Sequence, residues 1–180
     1  KDEVIFERIV RLKQIRDRHE SFEKNKIIQI MSQLRHHLIN MDEIDKICKQ
    51  INEHERFIAY GSPTLLNLLF DFQVDMKIFD KTVLLSSVNN GKILVPKNND
   101  LIGLFTATGR LLGCCDAKFQ EVVLDTKNTK ILFSKSQINS EYIDFSFSMD
   151  TDNDYYEMHY VFLFLFDLIK TRYYELYIKE

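Results

Sequence analysis

Asp71 and Asp75 follow a Gly61-Ser62 turn within one short stretch of this chain. A Gly-Ser turn lets backbone and hydroxyl approach a phosphate, and two acids can hold a divalent ion against it. The spacing works against this, because residues i and i+4 of a strand stand about 13 Å apart, too far to share one ion. Asp150, Asp152 and Asp154 imitate the opening of a calcium loop, but Tyr155 replaces the required glycine and Val161 the closing acid. His36 and His37 are neighbours on a predicted helix and cannot face one metal, while His19, His54 and His159 have no partner at ligand spacing. Cys114 and Cys115 would point to opposite faces of a strand. The expectation is therefore no metal, no cofactor and no catalytic residues.

The segment 61–75 resembles the nucleotidyltransferase family, in which a Gly-Ser turn opens a helix and the next strand presents two acids, two residues apart. That resemblance implies magnesium and a triphosphate substrate, with Asp75 as the second acid; Gln73 stands where the first would be. Alternatively, residues 57–61, a helix and residues 76–80 would open a βαβ nucleotide-binding unit. No G-x-G-x-x-G accompanies them, and the pattern downstream reads as hairpins.

Any such residues must be positioned by two unlike regions. The first 60 residues hold neither glycine nor proline, whereas all 5 glycines and both prolines fall between residues 61 and 113. These residues interrupt regular structure, so the chain divides into a helical segment, 1–60, and a compact head, 61–180. Ile27, Ile30, Leu34, Met41, Ile44 and Ile51 recur at spacings of three and four and predict a seam for a coiled coil or a helix pair. An amphipathic helix packed on its own domain would show the same pattern. The net charge of −3 argues against a whole-surface nucleic-acid binder. Arg8, Arg11, Arg16, Arg18, Lys24 and Lys26 nevertheless form a local basic excess that could meet an anionic lipid or nucleic acid.

Beyond residue 75 the sequence reads as strands at 76–86, 92–95, 101–107, 111–115, 119–124, 130–134 and 141–149, with Asn89-Asn90-Gly91 as a hairpin turn. Ser62 and Pro63 predict a capped helix start, and Asp154 with Glu157 a capping box for the closing helix. The fold class expected is α+β: N-terminal long helix or helix pair, antiparallel β-meander of about five to seven short strands, and C-terminal helix packed on the sheet. That order resembles pleckstrin-homology-like domains and RWD modules over residues 76–178, and the resemblance implies a docking module. The function expected is a non-catalytic protein–protein interaction or scaffold module, a homodimer or a partner-binder through the N-terminal helices. The alternatives are an anionic-ligand (phosphoinositide or nucleic acid) module and a divergent nucleotidyltransferase-like enzyme. An odd cysteine count, no secretory signal and no transmembrane run predict an intracellular protein, cytoplasmic or nuclear. Opening at Lys1, the chain reads as an excised fragment.

Overall fold

The computed structural model describes residues 40–88, 92–113, 116–148 and 155–179. Its centre is a sheet of five strands, β1 (Arg56–Gly61), β2 (Thr82–Ser87), β3 (Asp100–Thr106), β4 (Lys130–Ser134) and β5 (Phe145–Ser148), in the order β2-β1-β3-β4-β5. Every pairing is parallel. The expected antiparallel meander is therefore corrected to an α/β fold with a parallel sheet. Strands covered on both faces read as continuous apolar runs, not as alternation, and β3 and β4 are buried along their whole length.

Helix α1 (Met41–Glu53) precedes the sheet. Between β1 and β2 run α2 (Pro63–Leu66), a 3₁₀ turn and α3 (Phe70–Ile78). Between β3 and β4 lie α4 (Arg110–Gly113) and α5 (Ala117–Phe119), the latter continued by a π turn, Gln120–Leu124. Helix α6 (Tyr155–Tyr177) closes the chain. Four expected strands change identity. The run 76–86 is the end of α3 plus β2, residues 92–95 carry no regular structure, 111–113 belong to α4, and 119–124 are helical. Short apolar runs such as Val122-Val123-Leu124 satisfy either period, and packing against the sheet selects the helix.

The first face of the sheet is aromatic. Phe105 of β3 stacks on Phe133 of β4, with centroids 4.6 Å apart and planes at 4°, and Phe162 and Phe166 of α6 cover the pair. Gly103 makes room for Phe57, since a Cβ there would lie 2.5 Å from the Phe57 Cζ. On the second face Ile58, Tyr60, Ile102, Leu104 and Leu132 pack against Phe119, Val123 and Leu124.

Helix α1 belongs to this body. Ile44, Ile47, Cys48 and Ile51 are buried, and α1 packs on α6: Cys48 Sγ donates to the Ile169 carbonyl, Tyr173 donates to Asn52 Oδ1 at 3.1 Å, and Arg172 grips Asp45 at 2.7 and 3.0 Å. Asn40 caps the helix by accepting from the Asp42 N–H. The coiled-coil reading is thus corrected where it can be followed, because Ile44 and Ile51 are already covered by the chain's own helix.

Candidate functional site

Three charged side chains with little exposure, Arg56, Asp100 and Lys130, stand at the amino edge of the sheet, where each has a structural task. Arg56 Nε donates to Asp100 Oδ1 at 2.8 Å, and Asp100 Oδ2 also accepts the Lys97 N–H at 2.6 Å. Asp100 is 2% exposed. The buried Lys130 ammonium donates to the carbonyls of Thr126 and Asn128, and its backbone N–H donates to Asp144 Oδ2. Burial pulls the Lys130 pKa down and the nearby Asp144 works against that shift. All these groups pin the starts of β1, β3 and β4.

The carboxyl edge is chemically different. Gly61 is followed by Ser62, and the other strands end in Ser86-Ser87, Thr106, Ser134 and Ser148. Register sets Thr106, Ser134 and Ser148 in one row, while Ser87 stands opposite Gly61, level with Phe105. Parallel strands point all their carboxyl ends one way, so five separate stretches of sequence deliver hydroxyls to one edge. The strand order also reverses here, with β2 and β3 on opposite sides of β1. Outside the carboxyl ends at such a switch point the connections diverge and leave a crevice, which is where open α/β sheets hold ligands.

Local bonds fix the lining. Ser62 Oγ caps α2 by accepting the Leu65 N–H, as the Ser62-Pro63 pair predicts. Ser134 donates to the Ser136 carbonyl at 2.7 Å, and Lys135 N–H to the Ala107 carbonyl at 3.3 Å, so the loops after β3 and β4 are tied together. Gly109 has φ +76°, and a Cβ on it would lie 2.6 Å from Ile138 Cδ1. An L-residue pays about 1–2 kcal/mol for that backbone region before any clash. Gly109→Ala is accordingly expected to lower stability by about 1–2 kcal/mol in denaturant titrations and to displace the Thr106–Arg110 loop. On the β2 side, Tyr60 donates to the Leu94 carbonyl at 2.5 Å and the Leu94 N–H donates to Ser86 Oγ at 3.0 Å, strapping residues 92–95 to the sheet. Burial, with Asp100 adding to it, raises the Tyr60 pKa, so its hydroxyl stays a neutral donor.

None of the described strand-terminal residues, 61–64, 86–88, 106–110 and 134–137, is a carboxylate or an imidazole; the charged ones are Arg110 and Lys135. No group of His, Cys, Asp and Glu among the described residues could hold a metal ion. Asp71 and Asp75 lie on helix α3, not on a strand, and Asp75 pairs with Lys170 of α6 at 2.8 Å, so they do not form the metal pair of a nucleotidyltransferase. His54 Nδ1 lies 2.7 Å from the Gln50 carbonyl at the end of α1. Cys48, pushed up to about 12 chiefly by burial, is no nucleophile.

Of the seam residues, Ile44 and Ile51 lie in the core and Met41 is half-buried. Ile27, Ile30 and Leu34 lie outside the described residues, as do Arg8, Arg11, Arg16, Arg18, Lys24 and Lys26. Cys114, Cys115 and Asp150, Asp152 and Asp154 also lie outside them. Among the described residues no helix is long and apolar enough to cross a membrane.

No family model and no curated protein matches the sequence. Solved structures do match it. A Methanococcus jannaschii protein, whose structure infers the molecular function of a 3-hexulose-6-phosphate isomerase, superposes with a TM-score of 0.64 at 14% identity, over 84% of this chain and 86% of its own. The Vibrio vulnificus NanR protein complexed with ManNAc-6P gives 0.64 at 11% identity, over 93% of this chain and 68% of its own. The sugar isomerase domain of the RpiR transcription factor from Sphaerobacter thermophilus gives 0.56 at 11%, over 84% and 88%. The fold is thus that of sugar-isomerase domains. The scaffold expectation rested on a coiled coil and an antiparallel docking head. The parallel sheet replaces the docking head, and among the described residues the seam positions Ile44 and Ile51 are buried in this fold.

Proposed function

We propose that the carboxyl edge of the sheet binds a phosphorylated sugar, and that the domain recognises this ligand without isomerising it. The observation that carries the reading is the row of hydroxyls Thr106, Ser134 and Ser148, with Ser62 and Ser87 at the neighbouring strand ends, at the carboxyl edge of the sheet beside its switch point. A phosphate monoester accepts many hydrogen bonds, so it suits hydroxyls, backbone N–H groups and one or two cations. The loops at Thr106–Arg110 and Ser134–Ser136 supply hydroxyls, and Arg110 and Lys135 the positive charge. Neighbours of the same fold, described as acting on or complexed with sugar phosphates, support the assignment.

Recognition is favoured over turnover by what the loops offer. Exchanging an aldose for a ketose needs a base to take the proton from the carbon beside the carbonyl. Among the described residues the ends of β1 to β4 offer hydroxyls, an arginine and a lysine, while Asp150, Asp152 and Asp154, which follow β5 in sequence, lie outside the described residues. A transcription factor carrying a domain of this fold is consistent with such a recognition role.

The test is a thermal-shift and calorimetric screen of aldose and ketose phosphates, with inorganic phosphate and the unphosphorylated sugars alongside. At a ligand concentration near 100 Kd, binding to the native state alone adds about 2.7 kcal/mol, roughly 5–11 °C for a chain of this size. A cognate sugar phosphate is expected to give that shift, removal of the exposed hydroxyl of the loop after β3 by Thr108→Val to weaken it at least about tenfold, and the unphosphorylated sugar to give none. No shift with any sugar phosphate at millimolar concentration would overturn the assignment. Conversion of aldose to ketose phosphate by the pure protein would overturn the recognition-only reading.

A further inference from the structure

Helix α3 leaves one face to solvent, and that face is apolar. Phe70 is 59% exposed, Val74 49% and Ile78 76%. They recur every four residues and form a single inclined ridge. The opposite face is spent on the core through Phe72 and Met76. Leu163 of α6, 42% exposed, borders the same groove together with Phe70 and Val74. A ridge this apolar on a surface helix marks a contact.

The charges beside the ridge say what covers it. Asp71 and Lys77, both exposed, stand three residues before and three after Val74. At about 100° per residue they lie some 60° to either side of it, one acidic flank and one basic flank. A two-fold axis running along the ridge lays Val74 on its own copy and brings the Asp71 flank of each chain against the Lys77 flank of the other, twice. A two-fold across the ridge would set Asp71 on Asp71 and Lys77 on Lys77. Ridges of i±4 spacing interdigitate with axes crossing at about 50°, which suits the first arrangement. The face is thus complementary to itself.

We infer that α3 is an isologous interface, and that this chain pairs with a second copy of itself along the Phe70-Val74-Ile78 ridge. A short helix gives a contact at the small end of stable interfaces, so association should be concentration-dependent.

The test uses the full chain in sedimentation or light scattering over a concentration series. Wild type is expected to move from 21.4 kDa towards about twice that mass as concentration rises. Val74→Glu should leave a monomer whose circular dichroism is unchanged, since the position is exposed. Asp71→Lys and Lys77→Asp should each raise the dissociation constant on the order of tenfold, by placing like charges in both flanking pairs. The double swap should restore it. A monomer at every concentration would overturn the proposal. So would a dimer indifferent to Val74→Glu and to the swaps, which would place the second copy, or another segment of the chain, elsewhere.

Discussion

Phe105→Ala is expected to lower the unfolding free energy by about 3–5 kcal/mol, the range for removing a buried aromatic ring. Phe105 is 2% exposed and sits where β3 meets α6. Its ring contacts four others, Phe133 at 4.6 Å, Phe166 at 5.4 Å, Phe162 at 6.0 Å and Phe57 at 6.4 Å, while Phe133 extends the stack to Phe147. Truncation would leave a cavity that the sheet cannot close, because the backbone on both sides is held in ladder hydrogen bonds. Domains of this size unfold at roughly 5–15 kcal/mol, so the loss consumes a large share of the total. The denaturant midpoint would fall with little change in slope. Phe105→Leu, which keeps most of the volume, should lose less than half as much. A midpoint within error of wild type for Phe105→Ala would mean that α6 does not close the core in solution.

Asp100→Ala should cost about 3 kcal/mol. Arg56 lies 19% exposed against a carboxylate that is 2% exposed, and the pair bridges the first residues of the two central strands. Asp100 holds two Arg56 nitrogens and the Lys97 N–H. Removing it strands a guanidinium and an amide in poorly solvated surroundings. Replacing both partners with apolar residues of similar volume, Arg56→Met with Asp100→Leu, should recover most of the loss, because the penalty comes from the orphaned charge. Equilibrium unfolding of the wild type, both single variants and the double variant closes the cycle. If the double variant is as unstable as Asp100→Ala, the pair is needed for strand register and not merely for charge balance.

How legible these features were differs from residue to residue. Ser62 and Pro63 announced the start of α2, because capping is a local bond between neighbours. Residues 101–106 and 130–134 were recognisable as strands from their apolar, β-rich runs. Their mutual direction was not. An antiparallel reading needs connections of two to five residues, whereas Ser87 and Asp100 are separated by the stretch 88–99, the length of a crossover. Connection length was the signal to weigh; the Asn89-Asn90-Gly91 tripeptide outweighed it. The βαβ reading of 57–61, a helix and 76–80, set aside for want of a glycine fingerprint and for the apparent hairpins downstream, had the order strand, helix, strand, but residues 76–78 end α3 and β2 begins at Thr82.

The candidate site left a fainter trace. Each strand is an apolar run ended or followed at once by Ser or Thr: Tyr60-Gly61-Ser62, Leu85-Ser86-Ser87, Phe105-Thr106, Phe133-Ser134, Phe147-Ser148. Any one of these is unremarkable. They acquire meaning only when the strands are parallel, since an antiparallel sheet would scatter them over two edges. The seam residues show the converse case. Spacings of three and four fixed which face of α1 is apolar, yet not whether α6 or a second chain would cover it.

By itself, then, the sequence determined what depends on neighbours along the chain: the Ser62 cap of α2, the apolar face of α1 and the cores of β3 and β4. Tertiary structure alone decided strand direction, the sharing of α1's apolar face with α6 and the gathering of five hydroxyl-bearing ends at one edge. The physical reason is range. Capping and amphipathicity are settled within a turn or two of backbone, whereas a parallel sheet is set by how residues far apart in the chain pack against one another.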